Sequence, residues 1–517
     1  MTSRASGEAR IRQAVATAKV VPPSVKGSPK SANKGGRADR EARRLIDDLE
    51  LWNNPRREAF ATVLVNGHRE NWPIHSERFK GFLRYNALQS GGPLLGKTEI
   101  EKICDTLAAH AIYGASCHEV WTRVGEKDGR LYVDLGGPDW QCVEIAPAAL
   151  ESDGPHWRIL PEAPIKFVRR PAMLEMPEPE AGGGIDLLRT FLNVETESDF
   201  QLAAGWMVAC YRAKGPYPIC VIKGTQGSGK SNMLRLLSRL IDPIQAPERN
   251  LPKEERELFV SAQGSHLLTF DNLSAVPAGM ADALCRVATG GGFSTRSLHT
   301  NDDEHIMQAR KPILLNGIPD LTRRADLADR SIVITARRLT SDRRRPEEEF
   351  WRDFADNEPL ILGAMFDAIA YALRVYPDIP APAVRMSDAA RFMSAAGEAF
   401  GWDRATFGKL LTANRLQAID TVLESDPFAQ VLLALLEAEP EWRGSSGELL
   451  SKLTERAPDK LRRAAFWPTT PSGTAAALDR IKDALEAKGF AYERGREGAK
   501  NERRFVQFKP VGDDADR

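Results

Sequence analysis

"GTQGSGKS", Gly224–Ser231, decides how this chain is read. Gly224, Thr225, Gln226, Gly227, Ser228, Gly229, Lys230 and Ser231 fit the pattern G-x-x-x-x-G-K-[ST] in full. The apolar "YPICVIKG" leading into it reads as a strand and the "NMLRLLSRL" that follows as a helix, the context that gives the pattern meaning. Glycines let the backbone curl until its N–H groups, with a helix N-terminus behind them, point at phosphate oxygens. These eight residues are expected to cradle ATP. Lys230 would reach the β- and γ-phosphates, and the Ser231 hydroxyl would ligate Mg2+.

Working outward, "HLLTFDNLS" (His266–Ser274) is an apolar strand that ends in a carboxylate. Asp271 is the natural magnesium partner of Ser231; a strand-end acid that only caps a turn is the alternative. The next residue is Asn272, where a second acid is common. An amide cannot take a proton from water but can orient one by hydrogen bonds. Phosphoryl transfer rests mainly on positioning and electrostatics, so Asn272 is compatible with hydrolysis while leaving its rate open. Asp282, Asp302, Asp303 and Glu304 are nearby acids that could supply a base.

Two further strands follow. "KPILLNGI" puts Asn316 at a carboxyl end, where an amide can sense the γ-phosphate or hold the attacking water. "LTRRADLADRSIVI" carries Arg323, Arg324 and Arg330 before another strand. An arginine from a neighbouring subunit can stabilise transition-state charge, and Arg330 is the first choice for that role. Between them, "CRVATGGGFSTRSLHTNDDEH" signals a turn or hairpin at Gly290–Gly292. Arg296 and His299 follow it and could grip DNA phosphates; a plain surface hairpin is the alternative.

Taken in order, "KGTQGSGKS", "FDNLS", "LCRVATGGGFSTRSLHTNDDE", "ILLNGI" and "DLADRSIVI" resemble the motifs of phage- and plasmid-type ATPases. These are related to superfamily 3 helicases and to the helicase half of primase-helicases. The resemblance covers about 185 to 345, with five motifs at fitting separations. It implies an AAA+-like core, a hexameric ring around single-stranded DNA, 3′-to-5′ unwinding driven by ATP, and a role in replicating mobile elements. Lys230 and Ser231 then match the Walker A pair, Asp271 the Walker B acid and Asn316 the polar sensor. Arg296 and His299 fall at the pore hairpin and Arg330 near the finger. Asn272 departs from the family pattern, which carries an acid there. No primase site is visible, so any primase would be a separate protein.

The flanks complete the organisation. Residues 1–44 are basic, rich in Ser, Gly, Ala and Pro and almost free of aromatics, and read as a disordered tail. Residues 45–183 mix helical and alternating segments, with a hairpin turn at "EKDG", and form an expected α+β domain of unassigned role. "EMPEPEAGGG" reads as a linker. The α/β core is expected over 184–345 and an all-helical segment over 346–425. Over 426–510, three helices and a β-hairpin run in the order of a winged helix. Its third helix, in "TPSGTAAALDRIKDALEAKG", would lie in a duplex major groove. Arg494, Arg496, Lys500, Arg503 and Arg504 on the hairpin could hold phosphates.

The bulk composition agrees with a soluble multidomain protein. It has 517 residues, 42% of them hydrophobic and 27% charged, at zero formal net charge. Six scattered cysteines without a CxxC pair suggest neither zinc nor a disulfide framework. No apolar run approaches the ~18 residues of a membrane helix, so no membrane contact is expected and the cytoplasm is the expected compartment. The leading expectation is an ATP-dependent DNA helicase or translocase acting as a homo-oligomeric ring. The alternative is an ATP-binding, DNA-associated switch or scaffold with slow hydrolysis. A small-molecule kinase fits less well, because a DNA-reading C-terminal domain would be superfluous in it.

Overall fold

The computed structural model describes residues 37–89, 94–148, 154–296, 304–317, 325–340, 344–464, 467–497 and 503–510. Of the expected tail, residues 1–36 lie outside these. From Arg37 to Asp48 the chain is helical rather than disordered, because Ala38, Ala42 and Leu45 recur at helical spacing and are buried.

Packing divides the chain into two units, Met1–Ala61 with Pro73–Ser116 and Thr62–Trp72 with Cys117–Arg517. The smaller unit contains the helices Arg37–Asp48, Glu77–Gln89 and Lys97–Gly114. Lys97–Gly114 buries Ile100, Ile103, Cys104, Leu107 and Ala111 at 3.6-residue spacing. The division departs from the expected 45–183 domain. Residues after 117 form a four-stranded antiparallel sheet of Val124–Lys127, Arg130–Asp134, Cys142–Ile145 and Trp157–Leu160. Val124, Leu131, Val133, Val143 and Ile145 share one apolar core with Trp206, Leu236 and Phe366 of the larger unit. The "EKDG" turn is present, with Asp128 and Gly129 both at positive φ, as a two-residue hairpin requires.

The larger unit is built on a four-stranded parallel sheet: β1 (Ile219–Lys223), β2 (Leu268–Leu273), β3 (Ile313–Gly317) and β4 (Ser331–Thr335), in the order β2-β3-β1-β4. Strands buried on both faces read as continuous apolar runs, and β1 shows why. Its Cys220 and Ile222 join the core holding Trp206, Leu234 and Leu237, while Ile219 and Val221 join the one holding Leu258, Phe259 and Leu284. β4 borders the sheet. The Asn414 side chain, on the helix Thr406–Ser425, accepts from Val333 N at 2.9 Å and donates to Val333 O at 2.7 Å. It thus stands in for a neighbouring strand and covers part of that edge.

The expected linker is not a free tether. Met176 N donates to Leu135 O (2.7 Å) and Glu180 N to Pro359 O (2.9 Å). A Cβ on Gly183 would come 2.2 Å from Leu360 O, and one on Gly363 1.9 Å from Glu180 O. The segment is therefore laid against the helix Glu347–Val375 at distances that only glycine permits. That helix is long and apolar enough to cross a membrane, contrary to the sequence reading. Phe354, Ile361, Leu362, Met365, Phe366 and Ile369 along it are buried in the same core as Trp206. A long helix buried in a large core passes the same length and apolarity test.

The C-terminal part has the helices Pro427–Ala438, Ser446–Arg456 and Pro471–Ala487, followed by the strands Phe490–Glu497 and Arg503–Pro510. A short strand, Trp442–Gly444, pairs with the last of these. Phe428, Leu432, Leu449, Leu453, Leu478, Leu485, Val506 and Phe508 form its core. Thr470 caps the third helix by accepting from Gly473 N, and Ser445 with Glu448 closes a capping box on the second.

Candidate nucleotide and nucleic-acid sites

The Gly224–Ser231 loop leaves β1 and turns through left-handed backbone at Gly227 (φ +78°) and Gly229 (φ +76°), which glycine adopts without a Cβ clash. The helix Lys230–Ile241 starts with its last two residues. Lys230 Nζ donates to the carbonyl oxygens of Gly224 (3.1 Å) and Thr225 (3.0 Å), so the ammonium lies folded over the loop. Partial burial lowers its pKa, and nearby Asp271 opposes that shift.

Because β1, β2 and β3 are parallel, their carboxyl ends share one edge of the sheet. Ile222 stands opposite Asn316, and Phe270 opposite Leu315, which sets Asp271 level with Asn316. Ser231 Oγ donates to Asp271 Oδ2 at 2.9 Å, and Asn316 Nδ2 donates to Asp271 Oδ1. One carboxylate thus joins the loop to the amide. Asn316 is 1% exposed, and its Oδ1 has no hydrogen-bond partner among the described residues.

Asn272 belongs to a different local structure. The β2–β3 ladder breaks between Phe270 and Leu273, and Asn272 is exposed with φ +54°. Asparagine is among the few non-glycine residues that accept this conformation readily. Its residue type is thus matched to a bulge that strand periodicity did not reveal.

Two features beside the loop escaped the sequence reading. Asn193 Nδ2 donates to Ser228 O (2.9 Å) and Arg337 O (2.7 Å), tying the loop to the segment before the core and to the one after β4. A cavity of about 920 Å3 opens next to it, lined by Leu192, Gly227, Met233, Leu339, Arg344 and Phe350. Arg344 Nη2 lies 3.8 Å from the position of a Cβ on Gly227. In the sequence, Asn193 is one polar residue in a mixed stretch and Arg344 one of a charge run, so no local signal marks either.

Arg330 is not brought to this site in its own chain. Ile219 pairs with Ser331, which puts Arg330 at the amino edge of the sheet, opposite the loop. Its Nη1 donates to Asp326 O at 2.8 Å. It shares a surface cavity of about 570 Å3 with Arg385 and Arg415, both of which donate to Asp329. Those two arginines come from the helical segment and were not expected here. Arg323 and Arg324 lie outside the described residues, as do Asp302 and Asp303.

Of the nucleic-acid candidates, Arg296 ends the strand Gly292–Arg296, which pairs antiparallel with Glu304–Gln308. His299 and Lys500 lie outside the described residues. Arg503 begins the last hairpin strand. Arg494, Arg496 and Arg504 are exposed on that hairpin, and Arg494 Nη1 donates to Asp479 Oδ2 at 2.9 Å.

Residues 185–420 match the family described as actinomycete integrative conjugative element replication protein, and residues 428–515 match the AICE RepA C-terminal domain. Together the two segments cover more than half of the chain. The chain belongs to this replication-protein family. The mobile element is thus of the integrative conjugative kind, where the sequence reading had expected a phage or plasmid. The gap between the matches, residues 421–427, takes in the end of the helix Thr406–Ser425 and the first residue of Pro427–Ala438, where the C-terminal part begins. No curated protein matches the chain. Among solved structures, the apo A form of the NrS-1 C-terminal region aligns over 90% of this chain and 98% of its own, at 11% identity and a TM-score of 0.37. A second apo structure of that region aligns over 93% and 100%, at 10% identity and a TM-score of 0.38.

Proposed function

We propose that this replication protein is an ATP-driven DNA helicase or translocase that works as a homo-oligomeric ring, a hexamer by its resemblance. The observation that carries the reading is the Ser231–Asp271–Asn316 hydrogen-bond network at the carboxyl edge of the parallel sheet, beside a loop shaped by Gly227 and Gly229. In this reading the loop N–H groups hold the phosphates, and Lys230 exchanges its two carbonyl partners for β- and γ-phosphate oxygens. Ser231 and Asp271 offer adjacent hydroxyl and carboxylate oxygens, the hard donors that magnesium takes alongside phosphate and water. Mg2+ held there would neutralise charge on the transferring phosphoryl group. Asn316 would orient the attacking water through its free Oδ1.

Arg330 sits at the far edge of the sheet, so its action on ATP would be on a neighbouring copy's nucleotide, which is why a ring belongs to the proposal. The strand arrangement supports an AAA+-like core. Three longer helices with a three-stranded, hairpin-ended sheet support a winged helix at the C-terminus. The hairpin of Arg296 and His299 would grip single-stranded DNA in the pore, and priming would fall to a separate protein.

Asn272 favours a second reading, an ATP-binding switch with slow hydrolysis, because no acid follows Asp271 on the bulge. ATP hydrolysis with and without single-stranded DNA separates the two, measured for the parent, Lys230→Ala and Asn272→Asp. Turnover stimulated by DNA and abolished in Lys230→Ala supports the motor. Tight ATP binding with negligible turnover, rescued by Asn272→Asp, would replace it with the switch.

A further inference from the structure

On the C-terminal hairpin, Arg496 and Arg504 are direct cross-strand partners. Opposed residues on an antiparallel ladder hold their Cβ atoms about 4.5–5.5 Å apart, and like charges in that position are destabilising. Both side chains are exposed, and neither has an acidic partner among the described residues. Other cations on the adjoining helix Pro471–Ala487 and just past its end are engaged by the chain's own acids. Arg480 bonds Asp426 at 2.6 Å, Lys482 lies 3.7 Å from Glu486, and Lys488 pairs with Asp420. Arg494 is taken by Asp479. Arg496 and Arg504 are thus two exposed cations held side by side on the hairpin.

Those two arginines line a groove of about 1030 Å3 whose other wall is formed by the starts of two helices, at Ser446, Gly447, Ser472 and Ala476, and by Asp479, whose carboxylate is engaged by Arg494. The small side chains at the two helix starts leave that end open. Among the described residues a single aromatic lines the groove, Phe505, and its ring is covered by Arg443 at 4.3 Å and lies across Gly495. Single-stranded nucleic acid is usually held on exposed aromatic faces, and the described lining offers none. What it offers is a pair of neighbouring guanidinium groups on a set ladder position, suited to phosphates in the regular backbone of a duplex.

We propose that the C-terminal part binds duplex DNA through the sugar-phosphate backbone, with Arg496 and Arg504 as the main contacts and the hairpin leading. The helix Pro471–Ala487 supplies the rim of the groove near its start instead of lying along a major groove. This deepens the DNA-binding side of the proposed function and rests on it, but it does not require ATP turnover.

The test is fluorescence anisotropy with the full chain, nucleotide-free, on two labelled duplexes of unrelated sequence and one single strand over a salt series. Arg496→Ala with Arg504→Ala should weaken both duplexes by about tenfold or more and lower the salt slope by about 2. The double lysine variant should retain most of the affinity. Lys482→Glu, midway along the helix, should stay within about threefold of the parent, where a helix lying in the groove would lose far more. The double alanine variant should also melt no lower than the parent, since it removes a like-charge pair. Duplex binding by the double alanine variant within about threefold of the parent, or an equal loss in Lys482→Glu, overturns the proposal. Running the series in a Lys230→Ala background separates the two readings, because duplex binding should persist there whether or not the chain is a motor.

Discussion

The Arg123 guanidinium and the Asp242 carboxylate meet at 2.9 Å, with side chains 0% and 2% exposed. Arg123 also donates to the carbonyl oxygens of Asp134, Leu174 and Pro243, and the second Asp242 oxygen accepts from the N–H groups of His266 and Leu267. A single buried pair therefore fastens the antiparallel sheet to the end of the loop helix and to the start of the acid-bearing strand β2. Burial alone would raise the Asp242 carboxyl, but Arg123 and these N–H groups hold it below its ordinary value.

Removing one partner would leave a charge buried without its counterion. Asp242→Ala should destabilise the larger unit by about 3–5 kcal/mol, read as a fall in melting temperature. Replacing both partners, Arg123→Met with Asp242→Leu, should fail to restore stability. The backbone groups that the pair satisfies would then have no partners. Recovery to the parent melting temperature would show that packing, not the polar network, holds this junction.

His266 is buried beside the same carboxylate, and its Nε2 donates to Cys210 O at 2.8 Å. Burial, reinforced by Lys311, lowers its pKa from 6.5 to about 4. The unfolded chain therefore takes up a proton below about pH 6.5 that the folded chain refuses until about pH 4, so stability is lost as pH falls through that window. Asp242, depressed as well, adds to the loss at still lower pH. His266→Gln should flatten the melting-temperature profile between pH 6.5 and 4; an unchanged slope would place the acid sensitivity elsewhere.

Gly363 sits within a long helix, where propensity alone would make alanine better by about 1 kcal/mol. Its Cβ would come 1.9 Å from Glu180 O, a contact with backbone that cannot simply rotate away. The clash should win, and Gly363→Ala should destabilise by about 1–3 kcal/mol. Limited proteolysis near Glu175–Gly184 should accelerate with it, because the strap would be displaced. A melting temperature above the parent's would mean that the strap yields at little cost.

In the proposed motor, Asn316 acts after nucleotide has bound. Asn316→Ala should leave ATP affinity within about threefold while cutting DNA-stimulated turnover about a hundredfold, the usual effect of losing one well-placed polar group. Equal losses in affinity and turnover would instead make Asn316 a support for Asp271.

Much of the core was legible because its signals are local. Eight consecutive residues specify the loop, with glycines where backbone must turn left-handed. Apolar runs ending in Asp271 and Asn316 announce parallel strands whose polar ends emerge together. The helix at Arg37 was readable from Ala38, Ala42 and Leu45 but was outweighed by the basic, aromatic-poor composition around it. Strand periodicity gave no sign of the bulge after Asp271.

By itself, then, the sequence determined the glycine-rich loop, the order of strands and helices and the chemistry available at each strand end, since these depend on neighbours a few residues apart. Only the tertiary structure decided which distant groups meet. Arg123 finds Asp242 119 residues away, Asn193 reaches Ser228 and Arg337, and Arg385 and Arg415 converge on Asp329 beside Arg330. It also turned an apparent linker into a packed strap and set Arg496 against Arg504. The reason is physical: a residue's propensity and polarity act on its own stretch of chain, whereas a buried charge or a close backbone approach has meaning only once another part of the fold supplies the partner.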